Sequence, residues 1–403
     1  MKNSNKFKSW CFFDFGLSSF PTLILTFFYA SYYTNVIARS ELVGSSNWAF
    51  TISIASLSTL ILLLLMIVKE RKNSLGSKFF NLFFYIFILS TFSLVFFGQD
   101  GNDIIPLILI YTGFIAFEIL NLFYNISLNK VSKKKNIGYA SNIGWAFGYL
   151  GGLISLFLVW ISLSATAKNN YLIMDNINIF SFIGPLVAIW TLVFCYPHLK
   201  NFSKTRFHVS KVREVFETIF SSKDLNKFTL AYFFYNNAVI CLFVFASIYA
   251  ITILKFSEKE VIFLGIFINL SGLFGCLILG FLEDRVSSKI NILGCLAFLF
   301  FFTIALLVNE NKTTFWIIAI LIGFFIGPIQ ASSRAYFSLH LSSKLQLSAF
   351  AFYSILGNAC SILGPLLIGI FIRQTGSLKL ALIVIPIFFF IGFFTLTFRK
   401  PNA

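Results

Sequence analysis

Twelve apolar runs, each long enough to cross a bilayer and joined by short polar connections, constrain this chain more than any other feature. They cover approximately 10–38, 47–68, 79–97, 104–127, 139–162, 179–197, 227–254, 261–282, 290–308, 315–337, 349–372 and 381–398. At about 1.5 Å of rise per residue, roughly 20 residues of helix cross a hydrocarbon core of roughly 30 Å. An all-α membrane protein with twelve transmembrane helices is therefore predicted. Lys2, Lys6 and Lys8 precede the first run, Trp10 to Ala38, as they would a secretion signal. That run is too long for a signal core and lacks a small-residue cleavage pattern, so it reads as a retained helix.

Charge then fixes an expected orientation. A net charge of +16 would suggest a nucleic-acid partner in a soluble chain. Here 58% of residues are hydrophobic and only 11% charged, far more apolar material than a soluble core uses. The cations instead follow topology: with Lys227 and Arg334 counted at the ends of their runs, 24 of the 31 Lys and Arg fall on the side of the alternate connections and the two tails, and 7 in the opposite connections. By the positive-inside rule both termini are cytoplasmic, which makes the chain a multi-pass protein of the cell membrane. No nucleic acid is expected as a partner. The 55 Phe show no preferred face and read as lipid-facing bulk. Cysteines 11, 195, 241, 276, 295 and 360 all lie inside apolar runs without a CxxC, so neither a disulfide framework nor a zinc site is indicated. No cofactor or metal is expected.

The longest polar connection, His198 to Leu225, divides the runs six and six. The expected domains are an N-terminal bundle over 1–197, a linker over 198–225 and a C-terminal bundle over 226–403. Within the linker Val212, Val215, Phe216, Ile219 and Phe220 recur at helical spacing opposite Lys211, Arg213, Glu214 and Glu217. A short helix lying on the anionic membrane surface is predicted. The two halves also echo each other. At an offset of 213, Gly144, Gly151, Gly152 and Leu153 fall on Gly357, Gly364, Pro365 and Leu366, a sign of two similar six-helix bundles.

The connection after the eighth run reads GFLEDRVSSK, with Gly280, Asp284, Arg285 and Lys289. This resembles the GxxxDRxGRK signature of the major facilitator superfamily, with Ser287 in place of the second glycine. Gly280 would allow close helix approach. Asp284 and Arg285 would latch one packing of the bundle. The first-half copy is degraded, with Met66 for the glycine and Glu70 for the acid. WCFFDFGLSSF at Trp10, NLFYNISL at Asn121, SNIGWAFGYLGG at Ser141, FTLAYFFYNNAV at Phe228, IQASSRAYF at Ile329 and FAFYSILGNACSILGPLL at Phe350 are similar to segments of the autophagy-related vacuole effluxer family. The resemblance implies two pseudo-symmetric bundles, a central cavity lined by helices one, four, seven and ten, and alternating access. For the vacuolar members it implies export of amino acids. Leu17, Asn237 and Asn358 stand where that family usually carries Asn, Asp and Lys. An amide pair, Asn237 with Asn358, would then replace a buried ion pair.

Asp14 and Glu118 are the acids inside the predicted runs. Counted at about 1.5 Å per residue from the cytoplasmic ends, Glu118, Asn237, Asn358 and Gln330 lie about 14, 15, 13 and 11 Å deep, one layer near mid-membrane. Secondary transporters place substrate and coupling sites there. Glu118 is the expected coupling or substrate acid, with Asn236, Asn237, Gln330 and Asn358 as neutral partners. The alternative for Glu118 is a carboxyl bonded to a neighbouring Asn or Tyr for structure. Asp14, nearer the surface, either packs and caps or gates, and Arg334 at similar depth could be its gating partner. His198, His208 and His340 all sit at the cytoplasmic side, so none is a mid-membrane relay.

The function expected from these features is secondary transport of a small polar metabolite by alternating access, coupled to protons, with amino-acid export as the reading the resemblance favours. A monomer is expected. The alternatives are a transport-inactive receptor or regulator descended from a carrier, and a membrane-embedded lipid-modifying enzyme. The last would need clustered carboxylates or a nucleophile with a histidine base, and the runs hold neither.

Overall fold

Lipid offers the backbone no hydrogen-bond partner, so each apolar run must satisfy its own N–H and C=O groups, and a helix does so. The computed structural model describes residues 4–68, 74–97, 103–166, 172–174, 177–202, 205–208, 210, 212–309, 311–342 and 344–397. Twelve helical spans long and apolar enough to cross a membrane occur among them: Ser4–Ile37, Val43–Met66, Ser77–Phe96, Ile104–Val131, Lys134–Ser162, Ile183–Asn201, Lys223–Ile251, Phe263–Val286, Ser288–Val308, Lys312–Leu339, Gln346–Thr375 and Leu378–Thr397. They are numbered here as spans one to twelve and follow the twelve runs in order. Two short antiparallel ribbons interrupt the helices: Ser74–Gly76 pairs with Arg206–His208, and Leu172–Met174 with Ile177–Asn178. Glu70 and Arg71 of the degraded motif lie outside the described residues.

Span one is not the uniform helix its composition suggests. An α-helix over Ser4–Leu17 passes into a π-helical stretch, Phe20–Phe27, and after one α-turn, Tyr29–Tyr32, into a second, Tyr33–Ile37. Pro21 stands at the start of the first π stretch and brings no N–H to an i→i−4 bond there. The wider ladder is seen at Phe28, whose N–H donates to Leu23 O at 3.2 Å. Such bulges occur mainly at functional positions, because they re-aim side chains without ending the helix.

By contact the chain falls into two units: residues 1–65, 71–131 and 147–209, and residues 66–70, 132–146 and 210–403. The start of span five thus packs with the second unit and its remainder with the first. In the first unit span one packs on six and four, and span three on four and six. In the second, span ten lies between eight and nine, and span twelve joins seven to nine. The internal echo has a physical counterpart inside each unit. A side chain at Gly151 of span five would strike the Phe15 carbonyl of span one. One at Gly364 of span eleven would come within 2.7 Å of Cys241 Sγ and 2.9 Å of Asn237 Oδ1 on span seven. The repeated glycines let corresponding helix pairs approach.

The linker helix forms over Val212–Ser221. Its apolar face is divided: Val215 and Ile219 are buried, and Phe216 sets its ring edge-on to Phe352 of span eleven at 5.3 Å. Phe216 and Phe220 stack on each other and remain partly exposed. The helix is therefore seated on the second unit by half of the face expected to meet lipid.

Candidate functional site

In the first unit Asp14 is half-buried one turn before Ser18, whose hydroxyl donates to Asp14 Oδ1 at 3.4 Å. Span five presents Gly148 to it, close enough that a methyl group there would lie 2.9 Å from Asp14 Oδ2. Glu118 is half-buried on span four, between fully buried neighbours Ile119 and Leu120 and the buried Ala116.

In the second unit Gln330 of span ten donates through Nε2 to Asn236 Oδ1 of span seven at 2.9 Å, which brings together two of the expected site residues. Asn237 turns the other way. Its Nδ2 donates to Phe233 O at 2.7 Å and to Cys360 Sγ at 3.1 Å, and its Oδ1 has no hydrogen-bond partner. With both N–H bonds spent, Asn237 does not form the expected pair with Asn358, whose Nδ2 donates to Ser354 O one turn back at 3.0 Å. The N–H groups of this amide are taken up by the nearest backbone carbonyl and thiol. Tyr232 and Tyr353 stack at 4.2 Å, and Tyr235 shares a 2.6 Å hydrogen bond with Ser333.

The end of span eight carries a second polar cluster. Asp284 Oδ1 accepts the Gly138 N–H at 3.1 Å, where the helix of span five begins. The unpaired N–H groups and dipole of a helix start favour an anion at that place. Arg285 is not its ion-pair partner. Its guanidinium lies 4.5 Å over the Phe281 ring. Asp284 thus sets its carboxylate on the backbone at the start of span five rather than on Arg285. Gly280 sits beneath Asn142, where any side chain would collide with the Asn142 Cβ. Arg334, 3% exposed, donates through Nε to Ser141 Oγ at 2.9 Å and through Nη2 to Ser141 O at 2.8 Å.

The residue that sequence reasoning missed is Glu283. Span eight runs on to Val286, so this acid is inside a span, 1% exposed, where a polar loop was expected. Its Oε2 accepts from Asn142 Nδ2 at 2.5 Å, Ser332 Oγ at 2.6 Å and Asn291 Nδ2 at 3.2 Å. A signal was present: Glu283 follows Gly280 by three residues, so it shares the face on which another helix must approach.

This chain matches the profile described as "Vacuole effluxer Atg22 like" over residues 127–400. It belongs to the Atg22-like vacuole effluxer family. It is 27% identical over 406 residues, 97% of this chain and 94% of the relative, to the uncharacterized MFS-type transporter YxiO of Bacillus subtilis. Autophagy-related protein 22 of Vanderwaltozyma polyspora is 24% identical over 388 residues, covering 81% of this chain and 70% of that protein. Two solved structures share the fold, each at TM-score 0.73 over 98% of both chains. They are the human organic anion transporter MFSD10, at 12% identity, and a bacterial homologue of the iron transporter ferroportin, at 10%. This Atg22-like chain is accordingly a multi-pass MFS-type transporter with twelve transmembrane helices, and not an enzyme.

Proposed function

We propose that this Atg22-like chain is a proton-coupled secondary transporter that exports a small polar metabolite of the amino-acid class by alternating access. Both termini lie in the cytoplasm and the protein works as a monomer in the cell membrane. The observation that carries the reading is the retention of one half-buried acid, Glu118, in the middle of span four of a chain so poor in charge. A charge at that depth costs roughly 2.5 to 3.5 kcal/mol on insertion scales. Such a group takes a proton or a substrate ammonium on one side and releases it on the other. Asn236 and Gln330, already bonded to each other, supply neutral hydrogen-bonding capacity in span seven and span ten. Asp284 on the start of span five is the part that must let go when access changes, and Asp14 and Arg334 serve the gates.

The substrate is found by untargeted comparison of metabolites in cells with and without the protein, followed by flux of each changed compound in reconstituted vesicles. Uptake or release that requires the protein and responds to an imposed pH gradient supports the proposal. Protein-independent flux of every changed compound counts against it.

A further inference from the structure

Glu283 plays no part in the coupling proposed at Glu118, yet three side chains from three other spans donate to its carboxylate. Asn142 donates one Nδ2 hydrogen to Gly138 O at 3.0 Å and the other to Glu283 Oε2 at 2.5 Å. Asn291 and Ser332 also donate to Oε2, and Asn291 donates to Ser332 Oγ at 2.8 Å. Two buried acceptors, Glu283 Oε1 and Asn142 Oδ1, are left without a well-formed hydrogen bond, the buried Ser288 hydroxyl being a further side-chain group near enough to influence the carboxyl. Turning the Asn142 amide over would not help, because it would set Oδ1 against two other acceptors, Gly138 O and Glu283 Oε2. Unsatisfied buried polar atoms are costly, and a buried charge more so. No Lys or Arg among the described residues forms an ion pair with Glu283.

One proton resolves both vacancies. Placed on Oε1, it would give that oxygen a hydrogen to offer to Asn142 Oδ1, on the same amide whose Nδ2 already donates to Oε2, so that acid and amide could pair, and it would remove the buried charge. We propose that Glu283 is a proton-binding site whose occupancy is tied to the packing of the start of span five on spans eight, nine and ten. The proton enters from water at that end of the span, breaking one O–H bond of hydronium and forming the carboxyl O–H. When residues 138–142 withdraw, Oε1 meets water and the proton returns to it. The latch at Asp284 and the proton at Glu283 then make and break together, because both depend on the same turn of span five.

The neighbouring charged and titratable groups can be told apart. On span eight Asp284 holds the Gly138 N–H and Arg285 lies over Phe281. On span nine Lys289 is half-buried, and buried Cys295 lies within electrostatic reach of Glu283. Arg334 of span ten is engaged by Ser141. At the start of span five Lys133, Lys134 and Lys135 are exposed and Tyr139 is half-buried.

The test uses the full chain in lipid nanodiscs, its six cysteines replaced, with spin labels at Lys134 and Val286, both exposed. Distances are measured from about pH 5 to 9. The short distance should dominate at low pH and give way to longer ones as pH rises, the ratio changing by at most about tenfold per pH unit for one proton. Glu283→Gln, whose NH2 donates where the proton did, should hold the short distance at every pH. Asp284→Asn should keep the pH response with a shifted ratio. Asn142→Ala, which keeps the carboxyl but removes its acceptor, should move the midpoint, and it decides the matter should Glu283→Gln fail to fold. A wild-type distance indifferent to pH overturns the proposal, as does the same pH response in Glu283→Gln or an unmoved midpoint in Asn142→Ala. A distance that follows sodium at fixed pH would make this a sodium site and overturn it equally.

Discussion

Ser287 occupies the place where the superfamily signature has its second glycine, and its backbone shows why glycine belongs there: φ is +100°. A side chain is strained in that region, by roughly 1 to 3 kcal/mol. Ser287 recovers a little by accepting the Ile290 N–H at 3.4 Å, and losing such a cap to glycine costs only a few tenths of a kcal/mol. Ser287→Gly should therefore stabilise the protein by about 1 kcal/mol, read as a raised melting midpoint in detergent. A lowered midpoint would show that the cap outweighs the strain. The motif was legible at this scale and Glu283 was not. Motif spacing names the residues that match a pattern, whereas Glu283 matters because of donors on three other helices, Asn142, Asn291 and Ser332. Asn237 misled for a related reason. Its type could be read, but its bonding to Phe233 O and Cys360 Sγ depends on which way the amide turns.

Elements were legible where hydrophobic runs define them and less so where backbone chemistry intervenes. All twelve spans were expected from length and composition. The π-helical stretches of span one were not, since nothing in the apolar run beyond Pro21 marks a wider turn. The linker helix was expected from its period, but period cannot say whether an apolar face meets lipid or protein. Ile219 is fully buried while Phe220 is 49% exposed. Ile219→Ala should thus lower stability by about 2 kcal/mol or more. Phe220→Ala should leave unfolding nearly unchanged and weaken only association of the linker with anionic vesicles. Equal losses in both variants would mean that the seating on span eleven contributes little.

At the scale of the whole molecule, the Lys and Arg asymmetry is the strongest argument about orientation, and it is independent of every contact in the fold. A single cysteine at Lys134, on a background without the native cysteines, should be shielded from impermeant thiol reagents in intact cells. One at Asn309, on the opposite side and exposed, should be labelled. The reverse pattern would invert the topology and with it the direction assigned to transport. Composition made the fold class readable because it acts on every span at once, while the family was readable only in motifs such as those at Trp10, Ser141 and Gly280. Substrate chemistry rests on a few polar atoms, and no pattern of spacing names it. Coupling at Glu118 is tested most directly by flux through vesicles carrying Glu118→Gln. The variant should fold, insert and exchange substrate across the membrane while losing concentrative, pH-dependent flux. Uphill transport with the wild-type pH profile would contradict the account and pass the coupling role to another acid.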